Sequence, residues 1–163
     1  MRKLLRPPEL VDDGWRYISE ETAGAQGVIV PFAQFLSDPA AWAGRTVGVR
    51  VGPADRIEDL APHLAGISLV AVEFNSFADG RGFSLARLLR QQHGFQGEIR
   101  AVGAGVKRDL LFAMARTGFT TFELAPGQTL DGALASLKTF SLAYQAAVPV
   151  KGVEITRFGA ARS

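Results

Sequence analysis

From Thr46 onward, short apolar runs alternate with amphipathic stretches at a regular spacing. TVGVRV (46–51), SLVAVEF (68–74), EIRAV (98–102) and FTTFEL (119–124) are rich in β-branched and aromatic residues and predict strands. Between them, residues near 54–64, 81–93 and 107–117 carry apolar side chains at helical spacing, and a last helix is expected from about Leu130 to Ala146. Strand–helix–strand units of this length predict right-handed β/α crossovers. The expected fold class is therefore α/β, repeated β/α units with a mainly parallel sheet. Periodicity leaves two architectures open, an open three-layer sheet and a partial β/α barrel.

Punctuation supports these boundaries. Gly66, Gly94 and Gly118 each follow a helical stretch, where a left-handed cap favours a residue without Cβ. Thr129 or the turn APGQT starts the last helix, with Asp131 in its first turn. Ahead of Thr46, an opening segment around WRYI (15–18) precedes a short strand, GVIV (27–30), which ends at Pro31. FAQFLSDPAAW then reads as helical in pieces, with Pro39 after Asp38 at a first-turn position. The expected organisation is one α/β domain over 1–147 and a C-terminal extension over 148–163, in which VEITRF offers an edge strand before a loose tail.

Composition narrows the function classes. The chain has 163 residues, 47% hydrophobic and 21% charged, which suits one globular domain with its own core. The absence of cysteine removes disulfides, thiol redox chemistry and cysteine-held metal or iron–sulfur sites from this chain. The two histidines, His63 and His93, lack metal-ligand spacing, so no metal is expected. Arginine outnumbers lysine, 14 to 4, yet the net charge is only +2 and no basic run concentrates it, so nucleic acid is not an expected partner. MRKLLRPPEL lacks the apolar stretch of a signal peptide, and no window reaches the length of a membrane helix. The expectation is a cytoplasmic protein without a membrane partner.

One feature departs from a plain apolar core. Arg50, Glu73, Arg100 and Glu123 each sit towards the C-terminal end of an expected strand, with signs that alternate along the chain. With a side-chain period of two, each opposes its apolar neighbours, so in matched register the four form a ladder on one face. Ligands of α/β sheets and β/α barrels bind at this end of the strands. The ladder is then either a polar pocket floor, with Arg50, Glu73 and Arg100 as candidate ligand-holding groups, or a structural network of paired charges.

A second candidate is the run FADGRGFSLARLLR (77–90), which joins SLVAVEF to the next helix. Asp79 can cap that helix or orient Arg81, Gly80 and Gly82 allow close backbone approach, and Arg81 can present a fork to an anion. Ser84 lies in the first turn. Leu85, Leu88 and Leu89 mark the apolar face, which leaves Arg87 and Arg90 on the solvated side as groups for an acidic partner. The parallel loop AVGAGVKRDL places Gly103, Arg108 and Asp109 at another helix entrance, a secondary anion candidate. It lacks the third glycine and distant acid of a dinucleotide site. No catalytic residue can be assigned, and the residues name no cofactor, flavin included.

Taken together, VGVRVGPADRIEDLAPHL, VAVEFNSFADGRGFSLARLLR, GFQGEIRAVG, ARTGFTTFEL and FSLAYQ resemble a bacterial family of unknown function whose members are often labelled oxidoreductases of sulfite reduction. The resemblance spans roughly Leu10 to Ala147, and its most specific part is F-x-D-G-R-G-x-S-L-A-R-x-L-R. It implies a place in or beside assimilatory sulfite reduction; without cysteine or a cofactor motif, the role expected there is that of an accessory protein docking on sulfite reductase or its reductant. The other expectation is an enzyme acting on a small sulfur oxyanion or a phosphorylated metabolite, with Arg81 and Arg100 holding the anion.

Overall fold

The computed structural model of the chain describes residues 2–75 and 80–140. Asp79, the last helix beyond residue 140 and the 148–163 extension lie outside the described residues.

Eight strands form one curled, mostly parallel half-barrel sheet. They are β1 (Lys3–Arg6), β2 (Glu9–Asp12), β3 (Trp15–Tyr17), β4 (Gly27–Pro31), β5 (Val47–Val51), β6 (Leu69–Glu73), β7 (Glu98–Val102) and β8 (Thr121–Phe122). From β3 to β8 the strands lie side by side in chain order and all parallel. β1 then pairs antiparallel with β8, and β2 antiparallel with β1. The strands expected at 27–30, 46–51, 68–74, 98–102 and 119–124 are present, the last in a shorter form, while VEITRF lies outside the described residues. The hairpin β1–β2 is an addition: four-residue runs on either side of Pro7-Pro8 are too short to show a period.

The order carries a geometric consequence. β2 and β3 are the two ends of the sheet, yet only Asp13 and Gly14 separate them in sequence. Three Cα steps span at most about 11 Å, whereas eight flat strands would set the edges about 33 Å apart. The sheet must therefore curl until its edges meet at this corner.

The strand period of two sorts side chains onto two faces. Val28, Val30, Val47, Val49, Val51, Val70, Val72, Ile99 and Ala101 form the main core with helix residues such as Phe35, Leu64, Leu85, Leu89, Leu111 and Met114. The opposite face holds a smaller cluster, Trp15, Ile29, Leu69, Ala71 and Val102, among charged side chains. Burial on both faces is what near-continuous apolar strands require.

The helices are shorter than the periodicity suggests. They are α1 (Phe32–Ser37), α2 (Arg81–Arg87), α3 (Leu111–Thr117) and α4 (Leu130–Phe140). The helix expected near 54–64 is two 3-10 turns, Ile57–Asp59 and Ala61–Gly66, the second with Pro62 in its first turn. Gly66 accordingly does not act as a left-handed cap, whereas Gly94 (φ 62°) and Gly118 (φ 118°) are left-handed. A π turn, Leu88–Gln92, continues α2, and a 3-10 turn, Arg108–Leu110, leads into α3. α4 starts as read, with the Gly132 amide donating to Thr129 Oγ1 at 3.2 Å.

Candidate functional site

Charged side chains gather on the concave face. Arg50, Glu73 and Arg100 share it, joined by Glu123 just past β8, but the charges do not pair in sequence order. Arg50 Nε donates to Glu73 Oε2 at 3.2 Å, across neighbouring strands. Arg100 instead takes Glu98 of its own strand, from Nε (3.1 Å) and Nη2 (2.9 Å), and Asp13 Oδ2 from Nη1 (3.0 Å). Thr121 Oγ1 donates to the same Glu98 oxygen at 2.6 Å, and Arg6 reaches the other at 3.2 Å.

The N-terminal segment covers this network. Asp13 also accepts Arg2 Nε at 2.8 Å and the Trp15 amide at 3.1 Å, while its own amide donates to the Arg2 carbonyl. Arg2 continues to Glu123 (3.3 Å) and Glu20 (3.3 Å), and Tyr17 donates its phenol hydrogen to Glu123. The guanidiniums of Arg2 and Arg50 lie 5.2 and 5.5 Å from the Tyr17 ring centre.

Protonation states follow. Burial pushes the Asp13 carboxyl up, but the Arg100 charge and hydrogen bonds from Arg100, Trp15 and Arg2 outweigh it, leaving it below the usual range. Burial lowers Arg100, and Glu98 and Asp13 more than restore it, so it is held above its ordinary value. Burial first, then the Glu123 charge, raises the Tyr17 phenol, which stays protonated as a donor.

Arg100 is thus a correction. It is 0% exposed and enclosed by carboxylates, so it cannot hold a substrate anion. The structural alternative describes it: a buried charge is tolerable only when paired and hydrogen-bonded. Arg50 and Glu73, at 38% and 28% side-chain exposure, are the ladder members that reach solvent.

Around α2, Arg81, Ser84 and Arg87 are exposed, Arg87 as the helical spacing predicts. Arg90 is not. It is 6% exposed, and its guanidinium donates to the carbonyls of Phe95 and Gly97 at 2.7 Å and of Gly118 at 3.0 Å. Burial pulls it down to about 10, so it remains cationic at neutral pH. The buried stripe runs through Gly82, Leu85, Ala86, Leu89 and Arg90; Gly82 and Ala86, too small to register as apolar anchors, set its direction.

One glycine in each candidate loop packs against Phe74. A Cβ at Gly82 would stand 2.4 Å from the Phe74 ring, and one at Gly103 (φ 103°) 2.6 Å from its carbonyl. Gly80, at φ −76°, meets nothing. The Gly105 amide donates to the Phe74 carbonyl (2.8 Å), Val106 to Gly103 (3.1 Å) and Arg108 to the Gln128 side chain (3.0 Å). Three amides of the loop are thus engaged within the protein; Arg108 and Asp109 stand exposed beside it.

One groove, about 550 Å³, runs along the outer side of α2 and the π turn, lined by Phe83, Ser84, Arg87, Leu88, Gln91 and Gln92. Sequence reasoning missed the last two; a π turn, often found at functional sites, leaves no period to read.

The model of a family described as a bacterial protein of unknown function (DUF934) matches residues 48–152. The chain belongs to that family. The match includes Arg50, Glu73, Arg100 and all of α2, and excludes the β1–β3 segment that supplies Asp13 and Tyr17 to the concave face. Comparison with curated proteins gives no match. Among the described residues, no helix is long and apolar enough to cross a membrane and no His, Asp and Glu cluster could hold a metal ion.

Proposed function

We propose that this family member is an accessory binding protein acting in or beside assimilatory sulfite reduction, with the α2 groove as its partner face. The observation that carries the docking role is Arg87: exposed, and among the described residues the one charged group of a groove otherwise lined by Phe83, Leu88 and uncharged polar side chains. A lone cation flanked by apolar side chains suits an acidic residue set among apolar neighbours on a partner, and a desolvated arginine–carboxylate contact there supplies specificity. The chain's own segment 141–163 fits poorly, because Lys151, Arg157 and Arg162 outnumber Glu154.

The pathway reading rests on the resemblance carried by the F-x-D-G-R-G run that opens α2, and so does the oxidoreductase label of such proteins. The partner is then sulfite reductase or its reductant. The enzyme alternative loses Arg100 as an anion-holding group.

Gel filtration of the purified protein with purified sulfite reductase, and separately with its reductant, tests this at low and high salt. Expected is co-elution at low salt with one of the two, lost at high salt and in Arg87→Glu. Separate elution from both at low salt overturns the docking role. Equal growth of a deletion strain on sulfate and on cysteine overturns the pathway.

A further inference from the structure

The Arg50–Glu73 pair is incomplete in a directed way. Its two residues sit at the C-terminal ends of adjacent parallel strands, on the concave face. Arg50 uses Nε on Glu73 Oε2, and the Tyr17 ring stacks beside its guanidinium. No other contact of either charged group is found among the described residues. Among the described residues, that leaves the Nη1 and Nη2 edge, the fork that takes an oxyanion in two parallel hydrogen bonds, without a partner. Glu73 Oε1 likewise has no partner among the described residues.

The surrounding charge decides what fits. Among the described residues joined to the pair through Tyr17 and Glu123, the charged groups that reach solvent are Arg2 and Arg50 against Glu20 and Glu73, which balance. A doubly charged anion such as sulfate or phosphate on the Arg50 fork meets the Glu73 carboxylate beside it. A molecule that brings one carboxylate and one ammonium suits both groups: the carboxylate takes the Arg50 fork, and the ammonium takes Glu73.

We propose that the Arg50–Glu73 pair is a binding site for a small zwitterion of the α-amino acid class. The site is separate from the α2 groove and does not depend on partner docking.

Glycine is the simplest probe, with acetate, methylammonium and sulfate as its single-charge and double-charge counterparts. Titrated by calorimetry into the full chain, glycine is expected to saturate one site, with acetate and methylammonium at least tenfold weaker and sulfate weaker than acetate. Arg50→Lys, which keeps the charge and removes the fork, is expected to weaken glycine at least tenfold. Glu73→Gln is expected to weaken glycine and strengthen acetate, a reversal that a purely structural role would not produce. NMR of the unmodified protein gives a reading independent of the variants: the Arg50 Nε signal should shift with glycine and saturate at the calorimetric concentration. Tighter binding of sulfate than glycine, glycine affinity unchanged in Arg50→Lys, or no saturable binding in the folded protein overturns the proposal.

Discussion

Tyr17, on the first parallel strand, donates a hydrogen bond to Glu123, which follows the last. Five strand steps would separate them by about 24 Å in a flat sheet. The contact exists because the sheet curls, and it ties the two sides of the concave face together above the buried Arg100 network. Tyr17→Phe keeps the ring between Arg2 and Arg50 and removes only the donor. Glu123 retains Arg2, so the expected loss is about 1–2 kcal/mol in urea unfolding, without a change in the slope of the transition.

Asp13 sets the acid sensitivity of the fold. Its carboxyl titrates below its ordinary range when folded, so the native state binds fewer protons there than the unfolded chain. Its contribution is therefore present above the unfolded value, about pH 4, and is lost as pH falls through the lower folded value. Asp13→Asn leaves Arg100 buried with one carboxylate fewer and should cost about 3 kcal/mol at neutral pH. The difference between variant and parent should shrink towards low pH in unfolding curves measured between pH 2 and 7. A difference independent of pH would contradict the assignment.

Gly82 is fixed by packing. Its backbone passes so close to the Phe74 ring that an added methyl overlaps it. Phe74 is itself held by Phe83 and Phe119 at ring distances of 5.4 and 5.5 Å, so it has little room to yield. Gly82→Ala, normally favourable in a helix, is expected to destabilise by about 1–3 kcal/mol in thermal or urea unfolding, whereas Gly80→Ala should be close to neutral.

Arg90 joins three carbonyls, those of Phe95, Gly97 and Gly118, that no regular ladder satisfies. Arg90→Met preserves the stem and strips the donors, and leaving these acceptors bare should cost roughly 3 kcal/mol or more. Hydrogen exchange should then rise first in residues 93–97 and at Gly118. Arg87→Met, on the solvated side of the same helix, should leave both readings unchanged.

Much of this architecture was legible in the chain. β5, β6 and β7 announce themselves because a buried parallel strand is a short β-branched run, and Gly94 and Gly118 mark true left-handed turns. The shared face of Arg50, Glu73 and Arg100 also follows from the sequence. The hairpin β1–β2 does not, nor does the inward turn of Arg90, which depends on two small residues letting the helix approach Phe74. The loop Gly103–Gly105 shows the same limit: glycines that could cradle an anion are written no differently from glycines that pack against a neighbouring backbone carbonyl.

Which side of the sheet a residue occupies is a local property, since the pleat repeats every two residues, and the sequence alone determined it. Which partner a charge finds is not local. Asp13 reaches Arg100, 87 positions away, and Tyr17 reaches Glu123, 106 away, because the chain crosses between the sheet's two edges in two residues and forces it to curl. Only that closure decided that Arg100 is sealed in and that Arg50 and Glu73 face the solvent.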